Sequence, residues 1–270
     1  MITFAHKVKC SALNKSGLKG IRLTYKDRKI IVENTKIKEL LDMLSRGEFL
    51  IPSFQRAFVW NPEHISNLWD SIYHFYPIGP LIYWKTFMHL RVHRRIGGFY
   101  LPKNVNNGHR KLQSYILDGQ QRITSLFVSF FGGKGKIREQ MEFDYTLHFD
   151  LTNAKFFFEA ERYKHLWSTD AAFLVRLRDV PKLPGDFDEQ LSKIPGFNNV
   201  IKTNLEQLKH VFTDYEISFI RLKGFDITSV CDIFERMNQG GIRLENLDII
   251  IARNFHNNPT IIEEDFPATN

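Results

Sequence analysis

Apolar positions first recur at helical spacing at Ile37, Leu40, Leu41 and Leu44, a stripe that predicts a short helix, with Thr35 placed to cap it and Gly47 to stop it. Phe49-Leu50-Ile51 is a continuous apolar run closed by Pro52, and it reads as a short buried strand. After SFQRAFVW comes Asn61 followed by Pro62. This is a helix-start signature, since an Asn side chain takes up a first-turn N–H and proline has no N–H to leave unpaired. The helix is expected over Pro62–His74. Leu81-Ile82-Tyr83-Trp84 and Ser114-Tyr115-Ile116-Leu117 read as strands, with a loop over 103–108 between them. The second of these strands runs directly into Asp118-Gly119. Beyond it Ile123, Leu126, Phe127 and Phe130 form the apolar face of a helix that ends at Gly132-Gly133.

Farther on, Tyr145–Leu151 and Lys155–Ala160 flank Thr152-Asn153-Ala154 as a β-hairpin, and Phe173–Val180 is a candidate strand cut off by Pro181. The stretch 187–212 is patchily helical, Ile217–Leu222 alternates as a strand does, and Ile227–Met237 is apolar at helical spacing up to Gly240-Gly241. A last helix is expected over Glu245–Phe255. Residues 1–30 are basic and interrupted by Gly17 and Gly20, and they read as an arm or edge hairpin. The expected organisation is this arm, a core over 31–140, and a hairpin and helical portion over 141–270 that completes the same domain, with a further carboxy-terminal domain expected beyond it. The fold class is mixed α/β (α+β), a mixed sheet with flanking helices and additional hairpin elements.

Composition narrows this picture. With 43% hydrophobic and 25% charged residues and 24 Phe among 270 residues, the chain has what a packed aromatic core needs and does not read as disordered. A net charge of +7 suits a polyanionic partner, or a basic surface that serves only solubility. Cys10 and Cys231 match neither a zinc pattern nor a disulfide framework, which points to a reducing, cytoplasmic setting. No signal peptide and no run of about 20 apolar residues is present, so no membrane is expected.

The strongest chemical signal is LDGQQRITSL. A strand ending in Asp-Gly just before a helix places backbone N–H groups and the positive end of the helix dipole at one point, where anions bind. There Asp118 can hold a magnesium ion or orient water, and Gly119 lets a ligand approach the backbone. The amides around Gln120 and Gln121 can cradle phosphate oxygens, and Arg122 can add a bidentate contact. The alternative is that Asp118 is an ordinary N-cap and that Gln120, Gln121 and Arg122 lie on a solvated first turn.

Two further polar clusters flank apolar runs. In IPSFQRAFVWNP, Arg56 beside Gln55 can reach phosphate or can stack on Phe54, Phe58 or Trp60. In FERMNQGGIRL, Arg236, Asn238 and the glycine pair mark a helix end, and Asn238 can equally serve C-cap chemistry. His89, Arg91, His93 and Arg95 alternate within HLRVHRRIGGF, so in a strand they share one face, a basic stripe for DNA or a charge-protected edge. None of the ten histidines falls in a metal-ligand spacing, and there is no Walker A sequence.

IPSFQRAFVW, DGQQRITSL and FERMNQGGIRLENLD, in this order, resemble the three motif regions of the GmrSD-type restriction family, over roughly Thr35 to Phe255. The resemblance implies an amino-terminal domain similar in fold to ParB and sulfiredoxin that binds and hydrolyses nucleotides in DNA-targeting type IV restriction and related phage defence. Carried onto this chain, it implies that Gln55 and Arg56 meet a nucleoside triphosphate and that Asp118 through Arg122 form the hydrolytic loop. Asp118, Gln121 and Arg122 are then catalytic, and Gly119 and Gln120 contact phosphate. Asn238, with Arg236 as a weaker candidate, completes the pocket. Magnesium is the expected cofactor, and the expected partners are DNA and a nuclease domain or subunit of the HNH type. DNA cleavage by this chain alone is not expected. A binding module that holds DNA or a nucleotide without turnover is the alternative.

Overall fold

The computed structural model describes residues 27–93, 95–96, 99–100, 112–132, 134–137 and 141–237. Its centre is a five-stranded mixed sheet built from β1 (Lys29–Lys36), β2 (Phe49–Leu50), β3 (Leu81–Thr86), β6 (Gln113–Asp118) and β12 (Glu216–Lys223), in the order β1-β12-β3-β6-β2. The short strands β4 (Arg95–Ile96) and β5 (Phe99–Tyr100) pair with each other, as do β7 (Lys134–Ile137) and β8 (Met141–Asp144). A three-stranded sheet, β10-β9-β11, follows from β9 (Leu147–Asp150), β10 (Lys155–Phe158) and β11 (Leu174–Arg176). The fold is mixed α/β, as the alternation of periods predicts.

Amphipathic spacing sets the layers. Helices α1 (Ile37–Ser45), α2 (Pro62–Tyr73), α3 (Gln120–Phe131) and α6 (Asn199–Asp214) bury Leu40, Leu41, Trp69, Ile72, Ile123, Leu126, Leu205 and Leu208 against Phe49, Leu81, Ile116 and Phe219 of one sheet face. The other face carries Trp84, Tyr115, Leu117 and Leu222 under α7 (Ile227–Met237). Short helices α4 (Arg162–His165) and α5 (Phe187–Ser192) complete the set. The many phenylalanines pack as expected: Phe49 stacks on Phe219 at 5.5 Å, and Tyr73 lies 4.8 Å from Phe149, which joins the small sheet to the helical layer.

Several local expectations change. Thr35 does not cap α1: it lies in β1, and the first-turn donor Ile37 N–H bonds instead to Tyr215 O at 3.0 Å, so a neighbouring strand end supplies the cap. The stop at Gly47 holds, with Gly47 N–H to Leu44 O and Glu48 N–H to Met43 O closing the helix in a Schellman arrangement. The end of the expected basic arm is β1 from Lys29 onward, paired with β12 over its whole length, while residues 1–26 lie outside the described residues. The candidate strand Phe173–Val180 is a strand only at Leu174–Arg176, and a 3-10 turn over Leu177–Lys182 follows, since Pro181 cannot donate to a ladder. The hairpin across Thr152-Asn153-Ala154 forms, with shorter strands than expected, Leu147–Asp150 and Lys155–Phe158, and with Lys155 opposite Asp150. The expected helix Glu245–Phe255 lies outside the described residues.

Candidate functional site

The end of β6 is irregular. Trp84 and Tyr83 of β3 face Tyr115 and Ile116, but the next pair is Ile82 with Asp118, so Leu117 is an extra residue in the ladder. Such a bulge re-aims the following side chain, and here it sets Asp118 at the sheet end just before α3. Gly119 occupies the cap position of α3 with φ +88°, and a Cβ there would stand 2.2 Å from Leu81 Cδ2. Asp118 is therefore not the N-cap. Ile123 N–H to Gly119 O, 2.9 Å, is the first helical bond, and no side chain caps the amides that precede it.

Arg122 is folded back on the junction. Its Nη2 donates to Asp118 Oδ2 at 3.0 Å, and its Nη1 donates to Ile78 O at 2.6 Å and Gly79 O at 2.7 Å. Gly79 has φ +79°, and a Cβ there would come within 2.9 Å of Arg122 Nη1, so the guanidinium needs a glycine as neighbour. Arg122 is mostly covered, while the Asp118 side chain is 47% exposed. One carboxylate oxygen is thus tied to a fixed cation, and the carboxylate as a whole still meets solvent.

The glutamines are not on a solvated turn. Gln120 and Gln121 are 9% and 8% exposed, and both reach across to the coil between β2 and α2. Gln120 Nε2 donates to Arg56 O at 2.8 Å and Gln121 Nε2 to Ala57 O at 3.1 Å, while Gln121 Oε1 accepts from Val59 N–H at 3.0 Å. Gln55, also buried, donates through Nε2 to Ile116 O on β6, and its own carbonyl meets His93 Nε2 at 2.9 Å. This coil has no ladder to satisfy its backbone groups, and the carbonyls of residues 55, 56 and 57 are met one by one by side chains. The outcome is a coil clamped to the first turn of α3. Its Arg56 is exposed, and among the described residues the guanidinium makes no hydrogen bond or ion pair.

The motif regions converge in part. Gln55, Arg56, Gly119, Gln120, Gln121 and Arg122 are joined by the bonds above. Phe54 meets Phe234 edge-on at 5.3 Å, which ties the end of α7 to the same coil and leaves Arg236 exposed two residues farther on. Asn238 lies outside the described residues.

The basic stripe is not one strand. Val92 makes a single bridge to Pro52, His93 N–H and Arg91 O bond to Ile51 and Ser53, and Arg95, of which the backbone alone is described, belongs to a separate strand, β4, paired with β5. His93 turns toward Gln55 O, so its ring supports the clamped coil, whereas His89 and Arg91 are exposed.

Three features escaped the sequence reading. The carbonyls of Ile78 and Gly79 that receive Arg122 lie more than forty residues away in the chain, and no local pattern announces them. A second polar cluster around Asp150, His148, His165 and Glu159 is assembled from strand register. The Asp-x-Thr-Asn spacing of its turn was its one visible sign. The third is the burial of Gln120 and Gln121, whose residue type reads as solvated.

Among the described residues no group of three or more His, Cys, Asp or Glu is placed to hold a metal ion, and no helix is long and apolar enough to cross a membrane. Asp118 offers a single carboxylate, which fits a magnesium ion arriving with phosphate and water ligands and does not fit a protein-only cage.

The chain is 26% identical over 245 residues to a protein of Methanocaldococcus jannaschii described as uncharacterized protein MJ0686; the match covers 80% of this chain and 41% of that relative, so the chain spans less than half of its length. A family model, the N-terminal domain of GmrSD restriction endonuclease, matches residues 37–255, which takes in the clamped coil, the Asp118–Arg122 junction and α7: the chain belongs to the GmrSD restriction endonuclease N-terminal domain family.

Proposed function

We propose that this chain is the nucleotide-binding and nucleotide-hydrolysing module of a DNA-targeting restriction and phage-defence protein, with the phosphates seated at the junction of β6 and α3. The observation that carries the reading is a half-exposed carboxylate, Asp118, held at a helix N-terminus whose first-turn amides no side chain caps. The clamp presents Arg56 beside that turn through the Gln120 bond to its carbonyl. Uncapped amides, a helix dipole and a free guanidinium bind phosphate oxygens, and a fixed carboxylate suits the magnesium that accompanies them.

Arg122 and Gln121 act through position. Arg122 is engaged with two carbonyls and Asp118, so it fixes the carboxylate's direction and screens its charge. The Gln121 amide is engaged at both ends, so it sets the coil that carries Arg56. Magnesium bound with the nucleotide supplies neutralisation of charge on the transferring phosphoryl group. Asp118 then orients the attacking water, Arg56 and the first-turn amides hold the phosphates, and Arg236 at the end of α7 closes the pocket, with Asn238 kept as a nucleotide contact by its motif alone. Cutting of DNA is assigned to a separate nuclease domain or subunit of the HNH type.

Phosphate release with each of the four ribonucleoside triphosphates, with and without magnesium and DNA, tests this. Turnover that requires magnesium and is lost in a folded Asp118→Ala variant is the expected result. Absence of turnover with retained nucleotide binding would favour a binding module, which the engagement of Arg122 and the glutamines also suits. Full activity in Asp118→Ala would remove the junction from the reaction.

A further inference from the structure

Far in sequence from the junction, the outer face of the β10-β9-β11 sheet carries a second built feature. Asp150 is completely buried, and its carboxylate accepts from Thr152 N–H (2.8 Å), Asn153 N–H (3.1 Å), Asn153 Nδ2 (2.9 Å), His165 Nδ1 (2.9 Å) and Thr169 Oγ1 (3.3 Å). Burial raises the carboxyl's pKa, and this set of hydrogen bonds outweighs that and holds it below its ordinary value. His165 also stacks on Phe157, ring centroids 3.9 Å apart and 18° from parallel. A buried carboxylate is destabilising unless fully bonded, and this one fastens both His165 and Thr169, the two sides of one surface bend.

At the tip of that bend is Trp167, 82% exposed, the most exposed large apolar side chain among the described residues. Tyr163, half exposed, meets it edge-on at 5.7 Å, and Lys164 Nζ stands 5.9 Å over the Tyr163 ring. Arg162 adjoins Tyr163 in the chain, and Arg176 lies opposite His148 in the ladder; both are close enough to His148 to act on it electrostatically. Of the acids nearby, Glu159 is committed to His148 and stands 3.7 Å from Arg162, and Glu161 is 3.5 Å from Lys164. Arg176, exposed on β11, makes no hydrogen bond or ion pair among the described residues. An aromatic platform held rigid from beneath, with cations at its margin, matches an unstacked base with its flanking phosphates better than it matches an apolar protein surface.

We propose that Trp167, supported by Tyr163 and flanked by Arg162, Lys164 and Arg176, stacks on an unpaired base of DNA. The proposal rests on the DNA-directed part of the function above and is independent of nucleotide turnover. Of the four tryptophans, Trp69 and Trp84 are buried and Trp60 is half buried, so quenching by contact with a bound base falls chiefly on Trp167.

Purified 270-residue chain is titrated with a short oligothymidylate single strand and with its duplex with oligoadenylate, and binding is followed by tryptophan quenching and by anisotropy of the labelled strand. The single strand is expected to quench and to bind more tightly than the duplex. Trp167→Ala is expected to weaken single-strand binding about tenfold, and Trp167→Phe to retain it within about twofold, since stacking needs a π face. Both variants should keep wild-type phosphate release. Unchanged single-strand affinity in Trp167→Ala would overturn the proposal. So would equal weakening toward single strand and duplex, or self-association in sedimentation that depends on Trp167 while DNA binding does not. Absence of turnover in the wild type would sink the hydrolysis reading and leave this one standing.

Discussion

Replacing Gln121 by methionine separates a positioning role from a direct one. The side chain keeps its length and helix propensity but loses both amide groups, and with them the bonds to Ala57 O at 3.1 Å and Val59 N–H at 3.0 Å. Each neutral hydrogen bond contributes about 1 kcal/mol net. Val59 is half exposed, so water recovers part of the loss there and the expected destabilisation is about 1–2 kcal/mol. For a chain of this size that corresponds to a melting point lower by about 2–6 °C. Freed from the clamp, the coil no longer holds Arg56 against the first turn of α3, and a displacement of order 1 Å at a phosphate contact lowers turnover by about 10- to 100-fold. Thermal unfolding, hydrogen exchange of the amides at 56–59 and phosphate release, measured on one preparation, check the chain of cause. Lost turnover with an unchanged melting point and unchanged exchange at 56–59 would refute the reasoning, because Gln121 would then act on the reacting groups themselves.

Other perturbations follow from the same geometry. Gly119→Ala must accept a left-handed backbone and a Cβ against Leu81, so a loss of about 3 kcal/mol in unfolding free energy, read from denaturant titration, is expected; a loss below about 1 kcal/mol would show that the junction relaxes freely. Burial lowers the pKa of His148 from 6.5, against the opposing pull of Glu159 and with Arg162 and Arg176 adding to the shift. The unfolded chain therefore takes up a proton that the folded one refuses, and stability falls as pH drops through 6.5. Urea midpoints at about pH 8 and about pH 5.5 should differ less in His148→Gln than in the wild type, and equal differences would assign the pH dependence elsewhere. Duplex DNA is expected to bind weakly with steep salt dependence, and Arg91→Glu to weaken it at every sequence tested; an affinity that ignores both salt and this substitution would take Arg91 out of the interface.

The sequence by itself determined the elements whose signals are local. The apolar stripe of α1, the Asn61-Pro62 start of α2, confirmed by Asn61 Oδ1 accepting from His64 N–H at 2.9 Å, and the hairpin across Thr152-Asn153-Ala154 all rest on contacts within a few residues. So does the strand, glycine and helix series at Asp118, and the family could be recognised from its motifs because motif order survives in the linear chain. Tertiary structure alone decided what the polar residues do there. Gln120 and Gln121 are of a type that usually faces water, and only the path of a coil about 64 residues away gives their amides carbonyls to meet. Arg122 reads as a free phosphate ligand until the turn at Ile78 and Gly79 is folded against it. Thr35 loses its capping role because β12 begins beside it, with Tyr215 just ahead of the strand taking the Ile37 N–H, and Asp150 becomes a fully buried anchor because β9 and the 165–169 bend enclose it. Hydrophobic period is a property of a residue and its near neighbours, and it can be read along the chain. Hydrogen-bond partnership between distant groups is fixed by how the packed elements meet, and it exists only in three dimensions.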